Sequence, residues 1–591
     1  MKKDYIIDKT FCSFLAVSIL TSIMQQVRTM TDGIVASQFL GPDALSAINL
    51  FMPLDSFMYA VMTLFALGAS FLSAQDIAKQ DFSASSRQFT VAFISSIAII
   101  LTLVGICTLF FDNLISLLAD RDIPHIYSLT RDYVSVMLAA FVVQTPMVVL
   151  CLFANSDGNP QRVTLSMLVT LVVNAGLDFL FIGSLGMGIR GAACATIISE
   201  CVGFGILLTY LRSGKCSFGF TRVKNFLSIF RHILSEGLPL TLGMMSSGVT
   251  ALLLNHIVME YYGDSGLFVI AVAIQILALC TMINEGINEI YESAGGMYLG
   301  EGDYSSFRQL LGRGNTLMVV LVGVVTCAMV FFPTLFLNIF GEYDTQSVER
   351  EDRYLSIISL VLIPYFIIYV NTRIHALLGF KRLSIVFNIL QAIALIAVPF
   401  AAATVNKQWF WWAFPVGMAI LATIQLLTTF VLSNKSKLRS RLLLLPLLPN
   451  EVSTKLCINY DIESVKQALL DVRAFATMVE MGEEKTNRAI LCCEELICNI
   501  LKHCSDRVNG GCFEVLITDF PDRMEVRLKD AGKPFSPTAF NNSKTTDESS
   551  QGIGLRLVKA MSEDISHKYM FGLNITTLIF RKKNINNRFR H

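Results

Sequence analysis

Two stretches decide the fold: AKQDFSASSRQF (Ala78–Phe89) and LGEGDYSSFRQL (Leu299–Leu310) are one pattern written twice. Asp81 of the first matches Asp303 of the second, 222 residues further on. LGPDALSAI (Leu40–Ile48) pairs with YGDSGLFVI (Tyr262–Ile270) at the same offset of 222, through Gly41 and Gly263. Gly158 in DGNPQR and Gly379 in LGFKR stand 221 apart. Three matches at one spacing make an internal repeat.

The repeat lies in a chain too apolar for a soluble globule. Of 591 residues, 53% are hydrophobic and 16% charged, with a mean hydropathy of +0.57. Runs of 18 or more apolar residues recur from Phe11 to Leu432, each long enough to cross a bilayer. About twelve spans are expected: 11–31, 46–74, 89–111, 133–153, 163–183, 190–211, 237–261, 267–291, 315–338, 355–378, 383–403 and 411–432. Six spans per repeat preserve orientation, so the halves are parallel repeats about an axis along the membrane normal. That is a transporter plan, with a site in the cleft between halves.

Loop charge sets the orientation. The central loop LRSGKCSFGFTRVKNFLSIFRH carries Arg212, Lys215, Arg222, Lys224 and Arg231 and no acid, so it is expected in the cytoplasm of a cell-membrane protein. Both termini then lie inside, and Lys2, Lys3, Lys435, Lys437, Arg439 and Arg441 agree. From Lys435 the texture changes to mixed charge and short alternating runs. The expected division is an N-terminal lobe at 1–215, a second lobe at 216–434, a linker at 435–454 and a cytoplasmic domain at 455–591. A net charge of +1 gives no case for nucleic acid as a partner. Seven of the 14 cysteines lie in apolar runs, where cysteine acts as a small hydrophobe, and no CxxC occurs.

LGPDALSAINLFMPL, the SDGNPQR loop and VNAGLDFLFIGSLGMGIRGAACATIISE resemble the multidrug and toxic compound extrusion (MATE) transporters, over about residues 10–434. The resemblance implies two six-helix lobes forming a V, with efflux of small organic compounds driven by inward H+ or Na+ flow. It further implies a cation site in the N-terminal lobe at Asp32 of span one, Asn174 and Asp178 of span five, and Thr196 of span six. Their oxygens suit Na+, and paired carboxylates suit a shared proton. A charge at the bilayer centre costs about 2.5–3.5 kcal/mol, so each needs a reason. Shifted by 221 or 222, Asp32 falls on Leu253 or Leu254 and Asp178 on Pro399 or Phe400, so the fold itself does not demand carboxylates. A second set, Glu285, Glu289 and Glu292, lies on one face of span eight. Glu285 and Glu289 are the candidates to meet a cationic substrate or relay protons.

CCEELICNILKHC (Cys492–Cys504) opens two readings of the tail, a metal cluster or a catalytic pair. Cys493, Ile497, Ile500 and Cys504 form a helical stripe facing a core, away from Glu495 and Asn499. Zinc needs convergent ligands, and this spacing scatters them. The tail reads as helix, helix, strand, strand, loop, helix, strand. With DAGKPF (Asp530–Phe535) and GIGL (Gly552–Leu555) it resembles the GHKL ATPases, most closely the anti-sigma-factor kinases, over about 455–582. The expected architecture is therefore an α-helical polytopic membrane protein carrying a C-terminal α/β two-layer sandwich.

That likeness implies ATP with Mg2+. Asn499 would hold the metal, and Glu495 would activate the attacking hydroxyl or water. Asp530, Gly532 and Thr577 would meet adenine, while Gly552 and Gly554 would form the lid. The activity implied is ATP hydrolysis or transfer to serine or threonine, with a cytoplasmic protein as target. Two further readings stand beside a regulated exporter. In one, a membrane receptor uses the transporter fold as sensor and the kinase-like domain as output. In the other, the protein is a flippase of lipid-linked compounds.

Overall fold

The computed structural model describes residues 5–119, 121, 123–214, 216–340, 348–435, 444, 452–504, 511–534 and 553–582. The first lobe runs α1 (Tyr5–Leu40), α2 (Pro42–Ala78), α3 (Phe82–Leu109), α4 (Phe111–Leu118), α5 (Pro124–Ser156), α6 (Pro160–Asp178) and α7 (Ile189–Arg212). The second runs α8 (Phe226–Glu301), α9 (Tyr304–Phe331), α10 (Pro333–Phe340), α11 (Val348–Ser359), α12 (Leu362–Leu377), α13 (Lys381–Val405) and α14 (Trp409–Lys435). Among the described residues, eleven helical segments are long and apolar enough to cross a membrane. The expected twelfth, at 237–261, falls in the first half of α8, where several side chains lie outside the described residues.

The sequence repeat is a repeat of backbone geometry. Asp81 caps α3 by accepting from the Ala84 amide at 2.8 Å, and Asp303 caps α9 by accepting from Ser306 at 3.0 Å. Each cap satisfies an amide that the helix itself cannot. The residues before them, Gln80 and Gly302, both take positive φ, at 64° and 74°. Gly158 and Gly379 match as well, at 76° and 85°. The match of Gly41 to Gly263 does not extend to the backbone. Gly41 breaks the chain between α1 and α2, whereas the chain stays helical through 263.

Spans seven and eight consequently form one helical element of 76 residues. A straight helix would hold Gly237 and Gly296 about 90 Å apart. Yet Gly237 abuts Leu64 of α2, while Gly296 abuts Phe71 and Ala74 only a few turns along the same helix. The element therefore doubles back on itself and passes α2 twice. Beyond the second passage, Gly300 lies against Gln75 and Ala78, so small residues bring the two lobes together at this end.

The C-terminal domain is a five-stranded antiparallel sheet under three helices. Its elements are β1 (Val452–Asn459), α15 (Ile462–Met478), α16 (Glu483–Cys504), β2 (Cys512–Asp519), β3 (Arg523–Asp530), α17 (Ile553–Met561), β4 (Asp564–Met570) and β5 (Leu573–Arg581). Strand order is β1-β2-β3-β5-β4. β1 and β4, which the sequence reading lacks, are the two edges. The inner face sets Phe513, Val515, Ile517, Met524, Val526 and Leu528 against Val472, Phe475, Cys493 and Ile497 of the helices. Alternation puts Glu514, Arg527 and Lys529 on the outer face, where an antiparallel sheet commonly meets water. Here they are no more than 2% exposed, because that face lies on the transporter. A disulfide joins Cys457 of β1 to Cys512 of β2.

The α2–α8 contact gives a test of the doubled-back element. A Cβ at Gly237 would lie 1.8 Å from the Leu64 carbonyl oxygen, which is backbone and cannot yield. Gly237→Val should cost at least the 1–3 kcal/mol typical of overpacking. The expected result is loss of the monodisperse peak in detergent size-exclusion chromatography. An unchanged peak and unfolding temperature would contradict this helix pairing.

Candidate functional site

Three helices converge on the first site. Asp32 stands on α1, Asn174 and Asp178 on α6, and Thr196 on α7, and these helices pack on one another. The Asp32 carboxyl faces Asp178, Asn174 and Thr196. Asn174 and Asp178 are fully buried, and Asp32 and Thr196 nearly so. Among the described residues, Asp32 Oδ1, both Asp178 oxygens and both polar atoms of the Asn174 amide have no hydrogen-bond partner. Oxygen atoms buried in an apolar bundle without donors are costly unless a cation or proton answers them. The donor set of carboxylates, an amide and a hydroxyl fits either. Directly after Asp178 the helix widens into a π-helical turn, Phe179–Ser184, a distortion often found at functional sites.

A half-buried ion pair lies one turn along from these residues, and the sequence reading passed over it. Arg28, four residues before Asp32, pairs with Glu200, four residues after Thr196. The signal was available in an arginine inside span one and a glutamate at the end of GAACATIISE.

The acidic stripe of α8 is not left open to a substrate. Arg373 of α12 reaches Glu285 at 3.2 Å and Glu292 at 3.3 Å, and Tyr369 donates its hydroxyl to Glu285. One guanidinium thus answers two of the three carboxylates. Glu289 differs: it accepts from the Asn155 side-chain amide across the lobe interface and faces Ser18 of α1. Arg373, lone in span ten, is the residue whose partnership the sequence did not disclose.

On the inner face of the C-terminal sheet, Asp530 Oδ1 accepts from the Gly532 amide at 2.8 Å and from Asn574 Nδ2 at 3.0 Å. Asn574 also donates to the Lys533 carbonyl at 2.9 Å, so the Asp530–Lys533 turn is held from both sides. Asn499 Nδ2 lies 3.5 Å from Glu495 Oε1, one turn earlier on α16. Gly554, at the start of α17, presses so close to Glu495 that a Cβ would sit 1.7 Å from Oε1. Any side chain there would displace the Glu495 carboxylate. Gly552 lies outside the described residues.

The register corrects the expectation for Thr577. It pairs with Arg527 and so faces the transporter, whereas Thr576 pairs with Leu528 on the face that Asp530 shares. Thr576 Oγ1 is 2.9 Å from His567 Nδ1, and burial pushes that imidazole down to about 4.

Comparison with known proteins follows the same division. The MatE family model matches residues 18–180 and 239–403, which themselves start 221 residues apart. A histidine kinase-like ATPase domain model matches residues 458–582. The probable multidrug resistance protein YoeA of Bacillus subtilis (strain 168) is 21% identical, covering 55% of this chain and 72% of that protein. The multidrug export protein MepA of Staphylococcus aureus (strain bovine RF122 / ET3-1) is 23% identical, covering 68% and 90%. The crystal structure of MATE in complex with MaL6 superposes with a TM-score of 0.63 at 20% identity, over 72% of this chain and 98% of that one.

The two threonines separate the geometry from its alternative. Thr576→Val should weaken binding of a fluorescent ATP analogue by roughly tenfold, the worth of one buried hydrogen bond of about 1.4 kcal/mol. Thr577→Val should leave it unchanged. The reverse pattern would show that the strand register is wrong.

Proposed function

Because the chain belongs to the MatE family, whose model covers residues 18–180 and 239–403, we propose that it is a cation-coupled exporter of small organic compounds with an ATP-binding regulatory domain. The observation that carries the transport reading is the buried set of Asp32, Asn174, Asp178 and Thr196, with five polar atoms unpartnered among the described residues. Na+ or H+ entering the N-terminal lobe would supply the missing charge. Its release on the other side would leave two carboxylates facing each other, a state of higher energy that favours rebinding. Alternation between these states drives export without nucleotide. The basic loops support a cytoplasmic location for both termini and the domain. Glu289, bonded across the lobe interface rather than paired with Arg373, is the carboxylate best placed to meet a cationic substrate.

In the C-terminal domain, Asp530 and Thr576 would hold adenine and Asn499 the magnesium beside the phosphates. Bound ATP supplies a transferable γ-phosphoryl group. Glu495 would orient and take the proton of the attacking group, water or the hydroxyl of a protein target. Gly554 lets the start of α17 close over that carboxylate, and the helix N-terminus favours phosphate.

Two measurements test these assignments. In isothermal titration of the purified protein, Asp178→Asn should weaken coupling-ion binding about ten- to hundredfold, as expected for a charged contact of about 1.5–3 kcal/mol. Unaltered ion affinity would remove the N-terminal lobe site. For the domain, Glu495→Gln should retain Mg-ATP binding and lose turnover, while Asn499→Ala loses both; full turnover in Glu495→Gln would remove its catalytic role.

A further inference from the structure

The outer face of the C-terminal sheet carries charged side chains that an ATP site on the inner face does not use. We propose that this face is a binding surface for both lobes at once, and that it straps them together on the side that carries the domain. The inference rests on the reading that the two lobes alternate.

One anchor holds the second lobe. Lys529 of β3 reaches Glu301, the last residue of α8, at 2.5 Å, and both are at most 2% exposed. Its ammonium also lies 4.9 Å from the centre of the Tyr298 ring. Arg527 approaches Glu301 at 3.8 Å, and Lys455 of β1 donates to Ser306 Oγ at 2.9 Å. Burial alone would pull the Lys529 pKa down; Glu301, Asp303 and Glu514 more than offset this. Basic side chains of the sheet thus meet the acidic end of α8 and the cap of α9.

The other anchor holds the first lobe. Lys568 of β4 pairs with Asp157, which is fully buried and also accepts from the Tyr210 hydroxyl. The Phe571 amide donates to the Gly158 carbonyl at 3.1 Å. Its ring packs edge-on against Phe14 of α1, with centroids 5.5 Å apart. Gly158 has no room for a side chain, because a Cβ would meet Met570 Cβ at 2.4 Å. Together, Met570, Phe571, Leu573 and Ile575 complete an apolar cluster with Phe14, Tyr298 and Phe307 of the transporter.

The two anchors stand on strands β3 and β4, separated only by β5. A sheet holds such strands about 10 Å apart and does not stretch. The lobes meet beside these anchors, where Gly296 and Gly300 of α8 lie against Phe71, Ala74, Gln75 and Ala78 of α2. Opening this side requires Asp157 or Glu301 to give up its lysine. Either would then be left as a buried, uncompensated charge, which proteins do not tolerate cheaply. The loop after Lys529 adds a third tie, since Lys9 of α1 donates to the Ala531 carbonyl at 3.1 Å.

The test measures lobe separation in the full-length protein in lipid nanodiscs. Spin labels at Gln161 and Arg382, exposed repeat-equivalent positions at the starts of α6 and α13, report on the two lobes. The wild type should give one short distance distribution. Lys529→Glu combined with Lys568→Glu should add a population longer by about 5 Å or more, the scale of an element shifting by one turn. Lys529→Ala with Lys568→Ala should do the same and guards against a fold lost to charge reversal. Adding Glu301→Lys to Lys529→Glu should restore the short distances. Unchanged distances in both double variants, or no restoration by the swap, would overturn the strap. Failure of the exporter reading would appear in ion binding and leave these distances untouched.

Discussion

Two carboxylates, Asp32 and Asp178, face each other inside an apolar bundle, and Asp32 Oδ1 and both Asp178 oxygens find no hydrogen-bond partner among the described residues. The repeat shows that the bundle can be built without them, since the equivalent positions in the second lobe are Leu253 or Leu254 and Pro399 or Phe400. Burying these carboxylates costs stability, and a cation or proton among them would relieve that cost. The neighbouring Arg28–Glu200 pair sets a guanidinium one helical turn from Asp32, so that carboxylate also feels the charge of Arg28.

The C-terminal domain depends on a different economy of charge, one in which strand alternation does two jobs. Lys529 and Asp530 are adjacent, so their side chains leave the sheet on opposite faces. Lys529 grips the second lobe, and Asp530 holds the turn that faces the helices. Thr576 and Thr577 divide in the same way. A ligand bound on the inner face thus lies one peptide away from the contacts that hold the transporter. If a ligand on the inner face shifts the docking of the sheet, linkage requires that docking shift the ligand's affinity by the same factor.

Much of this was legible in the sequence, and the rest was hidden for identifiable reasons. The repeat at 221–222 anticipated matching caps and turns, because Asp81, Asp303, Gly158 and Gly379 act locally through one hydrogen bond or one dihedral. The N-terminal lobe residues were visible because polar groups stand out in apolar spans. Partnerships across helices were not: Arg373 with Glu285 and Glu292 depends on how α8 and α12 pack, which spacing along either helix does not encode. Nor could composition show that α8 reverses direction and passes α2 twice. β1 and β4 escaped because they are edge strands carrying several polar residues, which blur the alternation. The error at Thr577 was a slip of one residue, which in a strand means the opposite face. Nothing in the strands themselves marks the charged outer face as buried; its partners, Asp157 and Glu301, lie in the transporter.

Ion-driven flux tests the central claim most directly. Purified full-length protein should be reconstituted into ATP-free liposomes and an Na+ or H+ gradient imposed, following accumulation of a fluorescent organic cation. The account predicts gradient-dependent accumulation that collapses when the gradient is dissipated and disappears in Asp32→Asn. Accumulation that required ATP, or that survived Asp32→Asn at the wild-type rate, would contradict it.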